Sequence, residues 1–251
     1  MHLYSPDGKP VYQVPYADPS KGMRDATLAD ARKLGLFPSV TEIFSVMAKP
    51  GLENWKIDQM MLACLTSTQL ENETEESFIK RVKADAIETS IIARDKGQAI
   101  HDAVDKVFKE IEPEEHFNTA KEIEHNITTY LDVNSGYEAE ISFANPIGYG
   151  GRIDLLHRKA GIIIDLKTKE KLDMGAKPPA YDEHCMQLVA YANGIGMPNA
   201  RLVNVFSDWD GNCLFREWEQ SEKERAWEMF LVCFSLWKLV KKYTPVKETT
   251  K

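Results

Sequence analysis

The sequence predicts an α+β fold, a mixed β-sheet with helices packed against it. Helical periodicity runs to about residue 132, and alternating β-rich segments then take over. Those segments continue into a strand, helix, strand, strand, helix order, which suits a sheet covered by helices (α/β/α-like). Hydrophobic residues make up 43% of 251, enough to fill the core of one large domain, and charged residues make up an ordinary 28%.

The first twenty or so residues carry Pro6, Pro10, Pro15 and Pro19 with little periodicity and read as loose. Ser39-Val-Thr-Glu42 has capping-box spacing, and Val40, Ile43, Phe44 and Met47 follow it at helical intervals. That short helix stops near Pro50-Gly51. A second helix is expected over 53–65. A third spans about 75–111, with Gly97 as a candidate break and Ile100, Val104, Val107, Phe108 and Ile111 on one stripe. A fourth covers about 117–132.

Strand alternation then appears over 138–145. Gly148-Tyr-Gly-Gly151 reads as a turn or bulge. Residues 152–157 and 162–168 are β-rich and separated by Arg158-Lys-Ala-Gly161, so a three-stranded meander is expected. Residues 169–179 form a basic loop containing Pro and Gly. A helix over 181–194, strands over 200–207 and 213–219, and a long aromatic helix over 220–243 complete the order. The organisation expected is a helical N-terminal region (1–92) packed on a core (93–243) that ends in the C-terminal helix, with a flexible tail (244–251).

No apolar run approaches the roughly 20 residues of a membrane helix, and the start lacks a basic stretch followed by an apolar one. A cytoplasmic protein without membrane association is expected. Cys64, Cys185, Cys213 and Cys233 are scattered and read as buried thiols of a reducing compartment. Their spacing does not make a compact four-cysteine site, so no iron–sulfur cluster is expected. A net charge of −8 argues against a broadly basic nucleic-acid face, but it does not describe any single groove.

The hairpin over 152–168 carries the chemistry. Residues two apart on a strand share a face, so Asp165 and Lys167 point one way and Leu166 the other. A two-residue turn at Lys159-Ala160 puts Asp154 directly across from Asp165, about 5 Å away. A turn at Ala160-Gly161 puts it across from Lys167 instead. In both registers the three polar groups share a face. Two carboxylates that close repel, and burying them unpaired is costly. A divalent cation resolves the conflict, and hard oxygen ligands suit Mg²⁺ or Mn²⁺. The competing reading is a surface salt bridge. The flanking Ile162-Ile-Ile164 weighs against it, because that strand reads as buried on both faces.

Gly150-Gly-Arg-Ile-Asp-Leu-Leu156, Ile162-Ile-Ile-Asp-Leu-Lys-Thr168 and Gln187-Leu-Val-Ala-Tyr191 together resemble the motif set of RecB-like nucleases in the PD-(D/E)xK superfamily. Gly97-Gln-Ala-Ile-His101 is similar to that family's upstream GxxxH pattern. Pro38-Ser-Val-Thr41 with Lys49-Pro-Gly-Leu52 resembles phage-encoded and mitochondrial genome-maintenance exonucleases. The resemblance runs from about 38 to 191. It implies a restriction-endonuclease-like core and metal-dependent hydrolysis of DNA. Phage-type recombination, replication or degradation would be its setting, in the host cytoplasm if phage-encoded.

The resemblance further implies that His101, Asp154, Asp165 and the Leu166 carbonyl hold the metal, that Lys167 orients the attacking water, and that Gln187 and Tyr191 support the site. His184, Arg152, Lys169 and Lys171 are candidate DNA contacts. Lys177 belongs to the same basic loop, and Glu138 or Glu140 is a candidate additional acid. A recombination or single-strand-binding protein is a candidate partner, and the sequence leaves the oligomeric state open. Three rivals stand beside the exonuclease: an endonuclease on the same scaffold, a silent DNA- or partner-binding module, and a protein whose charge pairs are coincidental. The last predicts that Asp154, Asp165 and Lys167 are separated or fully solvated.

Overall fold

The computed structural model describes residues 1–48 and 50–246. Lys49 of the exonuclease-like opening and residues 247–251 of the expected tail lie outside that range. The chain is α+β, built around a five-stranded mixed sheet. Its strands are β5 (Glu138–Asn145), β6 (Tyr149–His157), β7 (Ile162–Thr168), β8 (Arg201–Ser207) and β9 (Cys213–Glu217), adjacent in chain order. Only β7 and β8 run parallel. Their crossover is α6 (Asp182–Gly194), as parallel pairing requires.

Helices cover both faces. On one face α6, α7 (Gln220–Lys241) and the short α2 (Val40–Ile43) bury Ile43, Tyr149, Ile163, Leu188, Phe230 and Trp237. On the other, α4 (Glu75–Phe108) and α5 (Phe117–Leu131) bury Ile100, Val104, Ile123, Ile127, Leu155, Ile164 and Leu166. Ile162, Ile163 and Ile164 are each 0% exposed, as a strand sandwiched between two helical layers must be.

Several expectations are corrected. The first twenty residues are not loose. Strand β1 (Leu3–Tyr4) pairs with β4 (Phe37–Pro38), and β2 (Gln13–Pro15) pairs with β3 (Met23–Asp25). They hold because Leu3, Val14, Ala26, Ala31 and Leu36 form a small core of their own, with α1 (Leu28–Leu34) above it. The N-terminal region is therefore mixed rather than helical. Gly148–Gly151 is not simply a turn, since Tyr149, Gly150 and Gly151 pair with β5. Helix α4 does not break at Gly97. Its start is capped by Thr74, which accepts from the Ser77 N–H. Cys64 is not a buried thiol. It lies exposed on α3 (Pro50–Thr66), an arm that packs on α4 and leaves much of its surface in solvent. No helix among the described residues is long and apolar enough to cross a membrane.

Candidate active site

The β6–β7 turn closes with the Gly161 N–H donating to the Arg158 carbonyl, which centres it on Lys159-Ala160. The register that follows pairs His157 with Ile162 and Leu155 with Ile164. Asp154 and Asp165 come next, and there the ladder stops. The two strands part, and the Asp154 carboxylate enters the gap. Its Oδ2 accepts the Leu166 N–H at 2.8 Å, where the backbone of a regular ladder would do so. The break extends to the neighbouring strand. Ala139 pairs with Leu155 and Ile141 with Ile153, but Glu140, between them and opposite Asp154, adopts a left-handed conformation (φ 59°). Such a conformation is uncommon for a non-glycine residue and is held here by the flanking pairs. Three acids from three adjacent strands therefore stand at one level of the sheet, where its regular hydrogen bonding fails.

These residues line a single cleft of about 620 Å³ together with His101, Arg152, Leu166, Lys167 and Gln187. Asp165 is 1% exposed, and Lys167 Nζ lies 2.9–3.0 Å from its oxygens. The same ammonium donates to Gln187 Oε1 at 3.2 Å, and Gln187 Nε2 donates to the Tyr191 hydroxyl at 2.7 Å. The i, i+4 spacing of Gln187 and Tyr191 on α6 makes that bond local and fixes the amide's orientation. From the opposite layer, α4 brings His101 Nδ1 to 4.0 Å from Asp154 Oδ2. Gly97, four residues before His101 on the same helix, faces the end of β7. A Cβ there would lie 2.6 Å from Thr168 Oγ1, at the end of β7.

The electrostatics follow from this burial. Desolvation pushes the Asp165 carboxyl above its ordinary range. Lys167 opposes that shift, and Asp154 adds to it. Burial disfavours the Lys167 ammonium, but Asp165 and Asp154 outweigh it and hold the amine above its usual value. Tyr191 is raised well above an ordinary phenol by burial and by both aspartates, and so stays protonated. Glu140 is raised to about 7 by burial, against the pull of Arg152 and with Asp154 and Asp105 adding to the shift. Its Oε2 lies 2.5 Å from Arg152 Nε without the geometry of a hydrogen bond.

As placed, no three His, Cys, Asp or Glu side chains among the described residues converge on a common metal position. Lys167 and Asn204 occupy Asp165, and the Leu166 N–H occupies one oxygen of Asp154. The donor chemistry nevertheless suits a hard divalent cation. The cleft offers carboxylate oxygens from three strands, an imidazole beside one of them, and a buried Glu140 oxygen lacking a hydrogen bond.

Other expected contacts fall elsewhere. Lys169 and Lys171 are exposed on the loop after β7, and Lys177 lines a separate cavity with Tyr181 and Arg216. None of the three lines the cleft. His184 accepts from the Tyr181 N–H at the start of α6 and lies against Phe206. Glu138 pairs with Arg158 beyond the cleft, so Glu140 is the acid that joins it.

No family model matches the chain, and no curated protein matches it. Among solved structures it is similar to the crystal structure of SSO0001, at 15% identity over 72% of this chain and 86% of that one. The TM-score is 0.31. A likeness at that level carries no argument about function.

Sequence reasoning missed Asn204 and Trp218. Asn204 Nδ2 donates to Asp165 Oδ2 at 2.8 Å, and Trp218 Nε1 donates to Asn204 Oδ1 at 2.7 Å. The available signal was a lone amide in the apolar run Leu202-Val-Asn-Val-Phe206, since a buried amide needs partners.

Proposed function

We propose that the protein is a Mg²⁺- or Mn²⁺-dependent deoxyribonuclease that hydrolyses DNA phosphodiester bonds, acting from strand ends. The observation that carries this reading is the position of Asp154. It sits in a gap in the sheet beside the buried Asp165–Lys167 pair, within one cleft. Coincidental charge pairs would be apart or fully solvated, and these are neither.

Asp154, Asp165 and His101 would hold the metal, with the Leu166 carbonyl and Glu140 as further oxygen donors. When bound, the cation supplies a polarised phosphoryl oxygen and an acidified water. Lys167 keeps its proton next to two carboxylates and presents an N–H to the attacking water or to charge on the phosphate. Gln187 holds that ammonium in place, and the protonated Tyr191 holds Gln187. Arg152 and Arg94 line the cleft and are the guanidinium groups there that would meet the DNA backbone, each standing beside a carboxylate of its own, Glu140 and Asp95. Strand-end action rests on the sequence resemblance alone.

The test is digestion of end-labelled linear DNA and covalently closed circular DNA with Mg²⁺, Mn²⁺ or EDTA, for wild type and Lys167→Ala. Metal-dependent loss of linear DNA alone, abolished in the variant, is the expected result. Cutting of circles makes the enzyme an endonuclease. DNA binding without cleavage under either metal overturns the catalytic reading in favour of a binding module.

A further inference from the structure

The Asp165 carboxylate is held from behind as well as from the cleft. Asn204 lies on β8 opposite Asp165 and is 0% exposed. Its two polar ends are both engaged, and only one orientation satisfies both partners. The indole N–H of Trp218 can only donate and an ionised carboxylate can only accept, so the amide oxygen must face Trp218 and the NH₂ must face Asp165. Trp218 is itself fixed. Its backbone N–H donates to the Leu202 carbonyl just past the end of β9. Its ring lies under the Arg216 guanidinium at 4.5 Å, and Glu222 holds that guanidinium at 2.5 Å.

We infer that Asn204 and Trp218 are positioning residues for the reaction. Trp218 sets the amide of Asn204, and Asn204 sets the plane of the Asp165 carboxylate. The inference rests on the nuclease reading above. Lys167 touches both oxygens of this carboxylate at 2.9–3.0 Å and so does not by itself fix its plane, and without Asn204 the group is free to turn on its Cβ–Cγ bond beneath the ammonium. With the anchor in place, Oδ2 is tied toward β8, and Lys167 keeps its contact with Gln187. Ligand-orienting partners of this kind typically change metal affinity or activity by about 10- to 100-fold when removed.

The experiment uses the full-length chain with single and double variants. Trp218→Phe keeps an aromatic ring beside Arg216 and removes the N–H donor together with the five-membered part of the indole. Asn204→Ala removes the anchor itself. On end-labelled DNA, Trp218→Phe is expected to lower kcat about tenfold with KM for DNA unchanged, and Asn204→Ala about 100-fold. The double variant should match Asn204→Ala, because Trp218 acts only through the amide. Calorimetric titration of the DNA-free chain with Mn²⁺ should show weaker binding in both single variants. A wild-type kcat in Trp218→Phe, losses that multiply in the double variant, or unchanged Mn²⁺ affinity would each overturn the inference. If Asn204→Ala does not fold, kcat and Mn²⁺ affinity of Trp218→Phe decide it. A wild type that cleaves no DNA under either metal refutes the nuclease reading itself. Cleavage by wild type with Trp218→Phe unaffected refutes only the positioning role.

Discussion

Leu166 donates its backbone N–H to the side chain of Asp154, and that bond gives the aspartate two separable roles. One is structural, since the carboxylate satisfies a backbone donor that the parted strands leave without a carbonyl. The other belongs to the proposed hydrolysis, since the same side chain faces the cleft with His101 beside it. An amide can perform the first role and not the second.

Asp154→Asn is therefore expected to abolish cleavage while unfolding near the wild-type temperature. Asp154→Leu should lose cleavage and also about 1–3 kcal/mol of stability, the usual consequence of leaving an N–H unpartnered in a half-buried site. Denaturant melts of the two variants beside wild type, with a cleavage assay, separate the roles. Equal destabilisation by Asn and Leu would show that the Leu166 bond contributes nothing.

Lys167→Ala removes the ammonium from a carboxylate that is 1% exposed. Breaking a buried pair costs about 3–5 kcal/mol. The lower end applies here, because Lys167 retains 31% exposure and Asn204 still donates to Asp165. The loss should be largest near neutral pH and should shrink toward pH 5. Burial already raises the Asp165 pKa, and without Lys167 the carboxyl escapes its unpaired charge by taking a proton. Urea melts at several pH values check this. A pH-independent loss would mean that Asp165 is not the group left unpaired.

Glu140 gives a pH dependence of the opposite sign to an ordinary ion-paired carboxylate. Its folded pKa, about 7, lies above the ordinary 4.5. Between those values the folded chain binds more protons than the unfolded one, so stability falls as pH rises through the window. Full ionisation costs roughly 3 kcal/mol, the free-energy equivalent of a shift of that size. In EDTA, Glu140→Gln should flatten the stability profile between pH 4.5 and 7 and raise stability at pH 7. A profile unchanged by the substitution would remove the buried charge as its cause.

Much of the site was legible because its geometry is local. Asp165 and Lys167 are two apart on one strand, Gln187 and Tyr191 are four apart on one helix, and the Lys159-Ala160 turn sets the register of Asp154. The helical layers were equally legible from spacing. The rest depends on pairing across the chain. Nothing local to residues 152–168 announces that the ladder stops after Leu155 and Ile164, or that Glu140 turns left-handed opposite Asp154. The N-terminal strands were obscured by their prolines, since two- and three-residue strands are too short to show alternation. Lys169 and Lys171 looked useful from their nearness in sequence to Lys167, but the chain leaves the sheet at Thr168 and carries them away from the cleft.

Gly97 joins the two layers, and its role can be tested by suppression. In the middle of a helix, alanine is ordinarily better than glycine by about 1 kcal/mol. Here the added methyl would lie 2.6 Å from Thr168 Oγ1, while Thr168 Cβ stands at 3.8 Å, an ordinary contact. Gly97→Ala should therefore push α4 away from β7 and draw His101 back from Asp154, which it faces across 4.0 Å. Cleavage should fall about tenfold or more, a loss of the kind a displacement of about 1 Å produces at a catalytic centre. Thr168→Ala removes the oxygen and leaves the Cβ. In that background Gly97→Ala should recover its activity and show the helix-propensity gain in a thermal melt. If the double variant stays as impaired as Gly97→Ala alone, the close approach of Gly97 to Thr168 is not what holds His101 over the site.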